Sequence, residues 1–163
     1  MTTINKKNVL NLVQVNAPYG NAWKQQYNFT TSSAGVFTDS DLATAVQSAD
    51  VVRLGVLPAG LTLHDALVIR SDAFTASTTA SIGFAYVDGV DVTAQAQDAA
   101  YFASALATDA TGVTRKTGVK APLALPKDAY LILTIGGAAH ASAGVLDVVV
   151  EGIWTGLPSA IPA

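Results

Sequence analysis

The spacing of turn signals is what most constrains this chain. Runs that are continuously apolar, or that alternate apolar with polar residues, are the mark of strands. Here they return at intervals of roughly ten to fifteen residues, each closed by Gly, Pro, Asp or Asn. About eight segments read this way, among them 8–15, 22–31, 51–57, 61–70, 78–89, 121–135 and 144–154. Strands do not alternate with long helical patterns, so a parallel, doubly wound sheet is excluded and an all-β antiparallel sandwich or barrel is expected. The acids agree. Eleven of the twelve are Asp and Glu151 is the one Glu, and Asp favours caps and turns where Glu favours helix interiors. One short helix is expected in "DAAYFASALA" (98–107), with Asp98 as its cap. Residues 41–49 fit either a helical turn capped by Asp41 or a strand.

The stretch "VVRLGVLPAGLTLHDALVI" (51–69) reads as strand, corner, strand. Pro58 sets φ at the second turn position and Gly60 takes the fourth, as in a type I turn. On the strand that follows, His64 and Asp65 are adjacent and alternate to opposite faces. "YLILTIGGAAHASAGVL" (130–146) is uncharged for 17 residues, but a membrane helix needs about 20 apolar residues. Two adjacent glycines, a His and a Ser interrupt it, so it reads as strand, loop, strand, and no membrane partner is expected. Lys6 and Lys7 precede "VLNLVQV", yet Asn11 and Gln14 break that run and no secretory leader is expected. The organisation expected is a polar arm (1–7), a single domain (8–155) and an extended, proline-punctuated tail (156–163).

Only 13% of the residues are charged while 50% are hydrophobic, against about 25% charged in a typical domain. A surface so poor in charge is expected to be partly covered, in the working state, by sister subunits or a larger partner. A net charge of −3 without a basic cluster argues against nucleic acid. The absence of cysteine removes disulfides and thiolate chemistry.

Catalytic chemistry finds no foothold. His64 and His140 stand 76 residues apart, without the convergent ligands a metal site needs. His140 and Ser142 share "HASAG", but no Gly-x-Ser-x-Gly elbow exists. Asp88 and Asp91 are a tight pair that lacks the ligand spacing of a calcium loop, and no glycine loop is built for phosphate. The Leu-Pro-x-Gly corner is similar to that of cupins, but the His-x-His pair and the Glu of their metal site are missing. No enzyme, cofactor or metal is expected. Arg53, between Val52 and Leu54, is either an ordinary solvent-face residue or the partner of a carboxylate across an interface.

From residue 50 to 155 the order of motifs resembles the head decoration, or cement, proteins of tailed bacteriophages. "VVRLGVLPAGLTLHDALVIRSDAF" is followed by "TTASIGFAYVDG", then "DAAYFASA", then "LPKDAYLILTIGG" and "SAGVLDVVVEGIW". The resemblance implies a jelly-roll-like antiparallel β-sandwich without catalytic residues. It also implies a structural role on the outer surface of the virion capsid, in a protein made in the host bacterial cytoplasm. The implied partner is the major capsid protein, whose neighbouring subunits are tied together in the expanded head, with the protein itself a dimer or trimer. The expected contact residues are the arm (Thr2, Thr3, Ile4, Asn5, Lys6, Lys7), Phe37, Arg53 and the tail (Leu157, Pro158, Ile161, Pro162). The rival expectation is a receptor- or carbohydrate-binding module, for which Trp23, Tyr27, Tyr86, Tyr101 and Trp154 would gather on an exposed face.

Overall fold

A computed structural model describes residues 1–7, 21–117 and 120–155. Ten strands form two stacked sheets, with no helix among the described residues. They are β1 (Thr3–Asn5), β2 (Ala22–Thr31), β3 (Val51–Leu57), β4 (Leu61–Asp72), β5 (Thr78–Tyr86), β6 (Asp98–Ala107), β7 (Gly112–Arg115), β8 (Leu123–Ala124), β9 (Ala129–Gly137) and β10 (Gly144–Trp154). The first sheet has the order β1-β3-β9-β5-β6 and the second β2-β10-β4-β7, with β8 paired to β4. Every pairing is antiparallel except β1 on β3, which is parallel.

The core lies between the sheets and follows the pleat. Tyr27 and Phe29 of β2, Leu61, Leu63, Ala66 and Val68 of β4, and Leu146, Val148 and Val150 of β10 point inward from the second sheet. Facing them are Val52 and Leu54 of β3, Ala80, Ile82 and Phe84 of β5, and Leu131, Leu133 and Ile135 of β9. Each large apolar side chain buried this way contributes about 1.5–3 kcal/mol. The strand–loop–strand reading of 130–146 holds, as β9 and β10, and the corner at 57–60 carries the chain from one sheet to the other.

Three local expectations are corrected. Residues 98–107 form β6, not a helix. The edge of β5 needs a partner, and Tyr101 and Phe102 drive into the core from β6. Asp98 does accept a backbone bond, from the Ala100 amide at 2.9 Å, but this two-residue reach serves a turn or strand entry as well as a helix cap. Gly83 lets β6 pass, because a Cβ there would lie 2.0 Å from the Asp98 carbonyl oxygen. Second, the Leu61 amide bonds to the Pro58 carbonyl at 3.3 Å and Gly60 has φ +81°. The turn is therefore 58–61 with Gly60 in its third position, the left-handed position of a type II turn. Third, His64 and Asp65 do not split between faces. β10 pairs Glu151 with Asp65 and Gly152 with Leu63, so His64 is the extra residue of a β-bulge. Both side chains end on the outer face, His64 exposed and Asp65 half-buried. Gly152 is required opposite, since a Cβ there would sit 2.4 Å from the Thr62 carbonyl oxygen.

Residues 41–49 form neither helix nor strand; Ala45 bridges to Val36 of the preceding loop, and the Ala49 amide donates to the Ile135 carbonyl of β9 at 2.8 Å. The strand expected at 8–15 and the tail at 156–163 lie outside the described residues.

Candidate functional site

The arm is built into the sandwich. β1 runs parallel to the edge of β3, with Thr3, Ile4 and Asn5 opposite Val51, Val52 and Arg53. Ile4 points inward and joins the main core. Two aspartates clamp the strand. Asp50 Oδ1 accepts the Thr2 amide at 2.8 Å. Asp41 accepts the Asn5 amide at 3.0 Å and the Asn5 side-chain amide at 2.9 Å. Partial burial pushes the Asp41 carboxyl up, but these bonds from Asn5 outweigh it and hold the carboxyl below its ordinary range. Lys6 Nζ lies 3.5 Å from Asp39, whose carbonyl accepts the Lys7 amide at 2.7 Å.

Arg53 is half-buried on the outer face of the first sheet. Its guanidinium stacks 4.6 Å above the Tyr130 ring and reaches Asn5 Oδ1 at 3.4 Å. Among the described residues it has no carboxylate partner, so it ties the arm to this face through cation–π and amide contacts. Phe37 is buried, packed 5.0 Å from Phe29. The structure thus brings the arm, Phe37 and Arg53 into one region, but Ile4 and Phe37 face the core of this chain. Thr2 and Thr3 are exposed and Lys7 is exposed at the end of the arm. Leu157, Pro158, Ile161 and Pro162 lie outside the described residues.

Sequence reasoning missed the outer faces of both sheets. On the second sheet the register lines up Gln26, Val149, Leu67 and Arg115 in one row and Asn28, Asp147, Ile69 and Val113 in the next. Leu67, Ile69, Val145 and Val149 are half-buried, and Val113 is 63% exposed. This makes an apolar stripe across a solvent face, rimmed by the pairs Lys24–Glu151 and Arg115–Asp65. Burial pushes the Asp65 carboxyl up, but its pairing with Arg115 and bonds from the Ala66 and Lys116 amides leave it below the ordinary range. On the first sheet Val56, Tyr130 and Ile132 form a second apolar cluster, with Val51 and Ala85 against it. The signal was present in the sequence. A strand with one wet face alternates apolar with polar, and "ALVI" and "DVVVE" do not.

The aromatics do not form a binding platform. Trp23, Tyr27, Tyr86 and Tyr101 are buried, and Trp154 packs against the core. Among the described residues no three His, Asp or Glu side chains converge as a metal site would need.

No protein-family model matches this chain, and no curated protein matches it. Two solved structures share its fold. A chain in the capsid of Ralstonia phage GP4 superposes with a TM-score of 0.64 at 15% identity, covering 96% of this chain and 100% of that one. A chain in the capsid asymmetric unit of cyanophage Pam1 gives a TM-score of 0.52 at 13% identity, covering 91% and 96%. The chain therefore has the all-β, two-sheet fold found in chains of phage capsid structures.

Proposed function

We propose that this chain is a structural component of a bacteriophage virion. It binds the outer surface of the capsid and cements neighbouring major capsid protein subunits, stabilising the expanded head. The observation that carries the reading is the likeness, over 96% of this chain and 100% of the other, to a chain of the Ralstonia phage GP4 capsid. The order of sequence motifs supports it independently.

The jelly-roll reading belongs with this proposal. Its support is the interleaved strand order. Setting β1 and β8 aside, β2-β10-β4-β7 faces β3-β9-β5-β6, and each sheet draws alternately on early and late strands. The proposed contact surface comprises the outward parts of the arm (Thr2, Thr3, Lys7), Arg53, the tail (Leu157, Pro158, Ile161, Pro162) and the apolar stripe around Leu67 and Val149. A dimer or trimer on the lattice would bury a further part of the charge-poor surface.

The mechanism is linkage. A ligand that binds only the expanded lattice stabilises that state by mass action. Many copies on one rigid lattice supply avidity without any single strong contact. The test is co-sedimentation of the purified chain with undecorated expanded heads and, in parallel, with unexpanded proheads. Saturable binding to expanded heads alone, at a fixed ratio to the major capsid protein, is expected. Absence of binding to both overturns the proposal.

A further inference from the structure

His140 has no role in the surface just described, yet it sits at a structural crossroads. It is 2% exposed, and neither ring nitrogen has a hydrogen-bond partner. The imidazole is held edge-on by Phe74 at 4.9 Å and Phe29 at 5.7 Å. Its main chain ties loops together. The His140 amide donates to the Val46 carbonyl at 2.9 Å. Its carbonyl lies where a Cβ on Gly35 would be, 2.0 Å away. The next amide, of Ala141, donates to Thr75 Oγ1 at 2.7 Å. Phe29 also packs on Phe37, whose carbonyl accepts the Ser40 amide beside the Asp39 and Asp41 contacts that hold the arm.

We propose that His140 is an acid-sensitive latch: neutral, it locks the 138–143 connection against the 32–46 loop and the Phe29–Phe74 pair, and once protonated it lets this end of the sandwich open and loosens the arm's anchor.

The chemistry is that of an uncompensated charge. An imidazolium needs two acceptors, and here neither ring nitrogen has one while two phenyl rings pack on the imidazole, so the charged form is disfavoured. The carboxylates on the surrounding elements are engaged elsewhere or turned to solvent. Asp39 meets Lys6, Asp41 meets Asn5, Asp50 accepts the Thr2 and Gln47 amides, Asp109 accepts the Ser77 amide, and Asp72 is exposed. Burial is accordingly the one influence on the imidazole, pushing it down from 6.5 to about 4. The unfolded chain therefore binds the proton more readily than the folded one. The latch is fully closed above the ordinary value of 6.5, and its contribution falls as pH drops from there towards 4. This inference rests on the fold alone and stands or falls separately from the capsid reading.

The experiment follows the thermal midpoint of the full chain from pH 7 to pH 4.5 for the wild type, His140→Phe and His140→Gln. In parallel, ¹⁵N-histidine NMR follows the two imidazoles, His64 and His140. The wild-type midpoint should fall by roughly 5 °C or more between pH 7 and pH 5, with amide protection in 32–46 and 138–143 lost before that of β3 and β9. Either variant that folds should show a flat profile over the same window. A His140 signal that protonates in the folded chain near pH 6.5 without loss of midpoint overturns the latch. So do folded variants that keep the wild-type slope.

Discussion

At the residue scale, glycines and aspartates hold the chain in positions that other side chains would not allow. Gly83 admits the β6 backbone, so Gly83→Ala should destabilise the chain by about 2–3 kcal/mol, read as a lower urea midpoint with an unchanged slope. The aspartates set an acid limb separate from that of His140. Asp65 and Asp98 both lie below their ordinary 3.8. Burial opposes this, while Arg115 in one case and Lys120 in the other, with nearby backbone amides, prevail. A depressed carboxylate contributes stability that is complete above its unfolded value and lost as pH falls through its folded one. Asp65→Asn and Asp98→Asn should therefore flatten the urea midpoint's fall below about pH 4 and leave the pH 7 to 5 limb intact. Each of these partly exposed pairs contributes about 1 kcal/mol or less. Where a strand alternates, as "QYNFT" in β2 does, the inward residues Tyr27 and Phe29 are legible because the pleat has a period of two; in "DVVVE" of β10 it is the register that separates inward Val148 and Val150 from outward Val149. The sequence concealed the direction of His64, because a bulge resets the alternation and leaves only an isolated Gly152 in a valine-rich strand as its trace.

At the element scale, the arm and β6 are decided by edges. β1 contributes one buried side chain, Ile4, and a parallel row of backbone pairs to β3. Ile4→Asp should release β1 while the two sheets persist. Trypsin should then cut faster after Lys6 and Lys7, and amide protection at Val51–Arg53 should fall, with a loss of about 2–5 kcal/mol in global stability. Unchanged cleavage would show that Asp41 and Asp50 hold the arm without it. The 98–107 segment was misread because its alanines and Asp98 satisfy helix rules locally. What decides it is the open edge of β5, over 10 residues away in sequence, and local propensity is only a weak prior beside such pairing.

At the scale of the whole molecule, the low charge content is distributed over two faces rather than gathered in one site. The row from Val149 through Leu67 and the cluster around Tyr130 account for much of it. Leu67→Asp and Val149→Asp, made singly, remove one half of a half-buried cross-strand pair and should each cost about 1 kcal/mol, leaving a folded chain. If the stripe is a contact surface, binding to expanded heads should fall at least tenfold. Unimpaired binding would remove the stripe from the proposed surface and leave the arm and tail. The all-β antiparallel class was legible from the spacing of turns, which left sandwich and barrel both open. The apolar patch on the outer face was less so, because a charge-poor composition does not say which face is apolar, and only the strand register assembles Leu67, Ile69, Val113 and Val149 into one patch.

The interleaved pairing has a consequence for biosynthesis. β9 is the strand between β3 and β5, and β10 the strand between β2 and β4. Each sheet thus waits for a central strand that leaves the ribosome after its other described strands. At about 5–20 residues per second, the earlier strands spend several seconds without their partners, with long apolar edges open. A nascent chain stopped before residue 144 would lack the middle of its second sheet, so that sheet closes only once β10 has emerged, and chaperone occupancy before that point should be high.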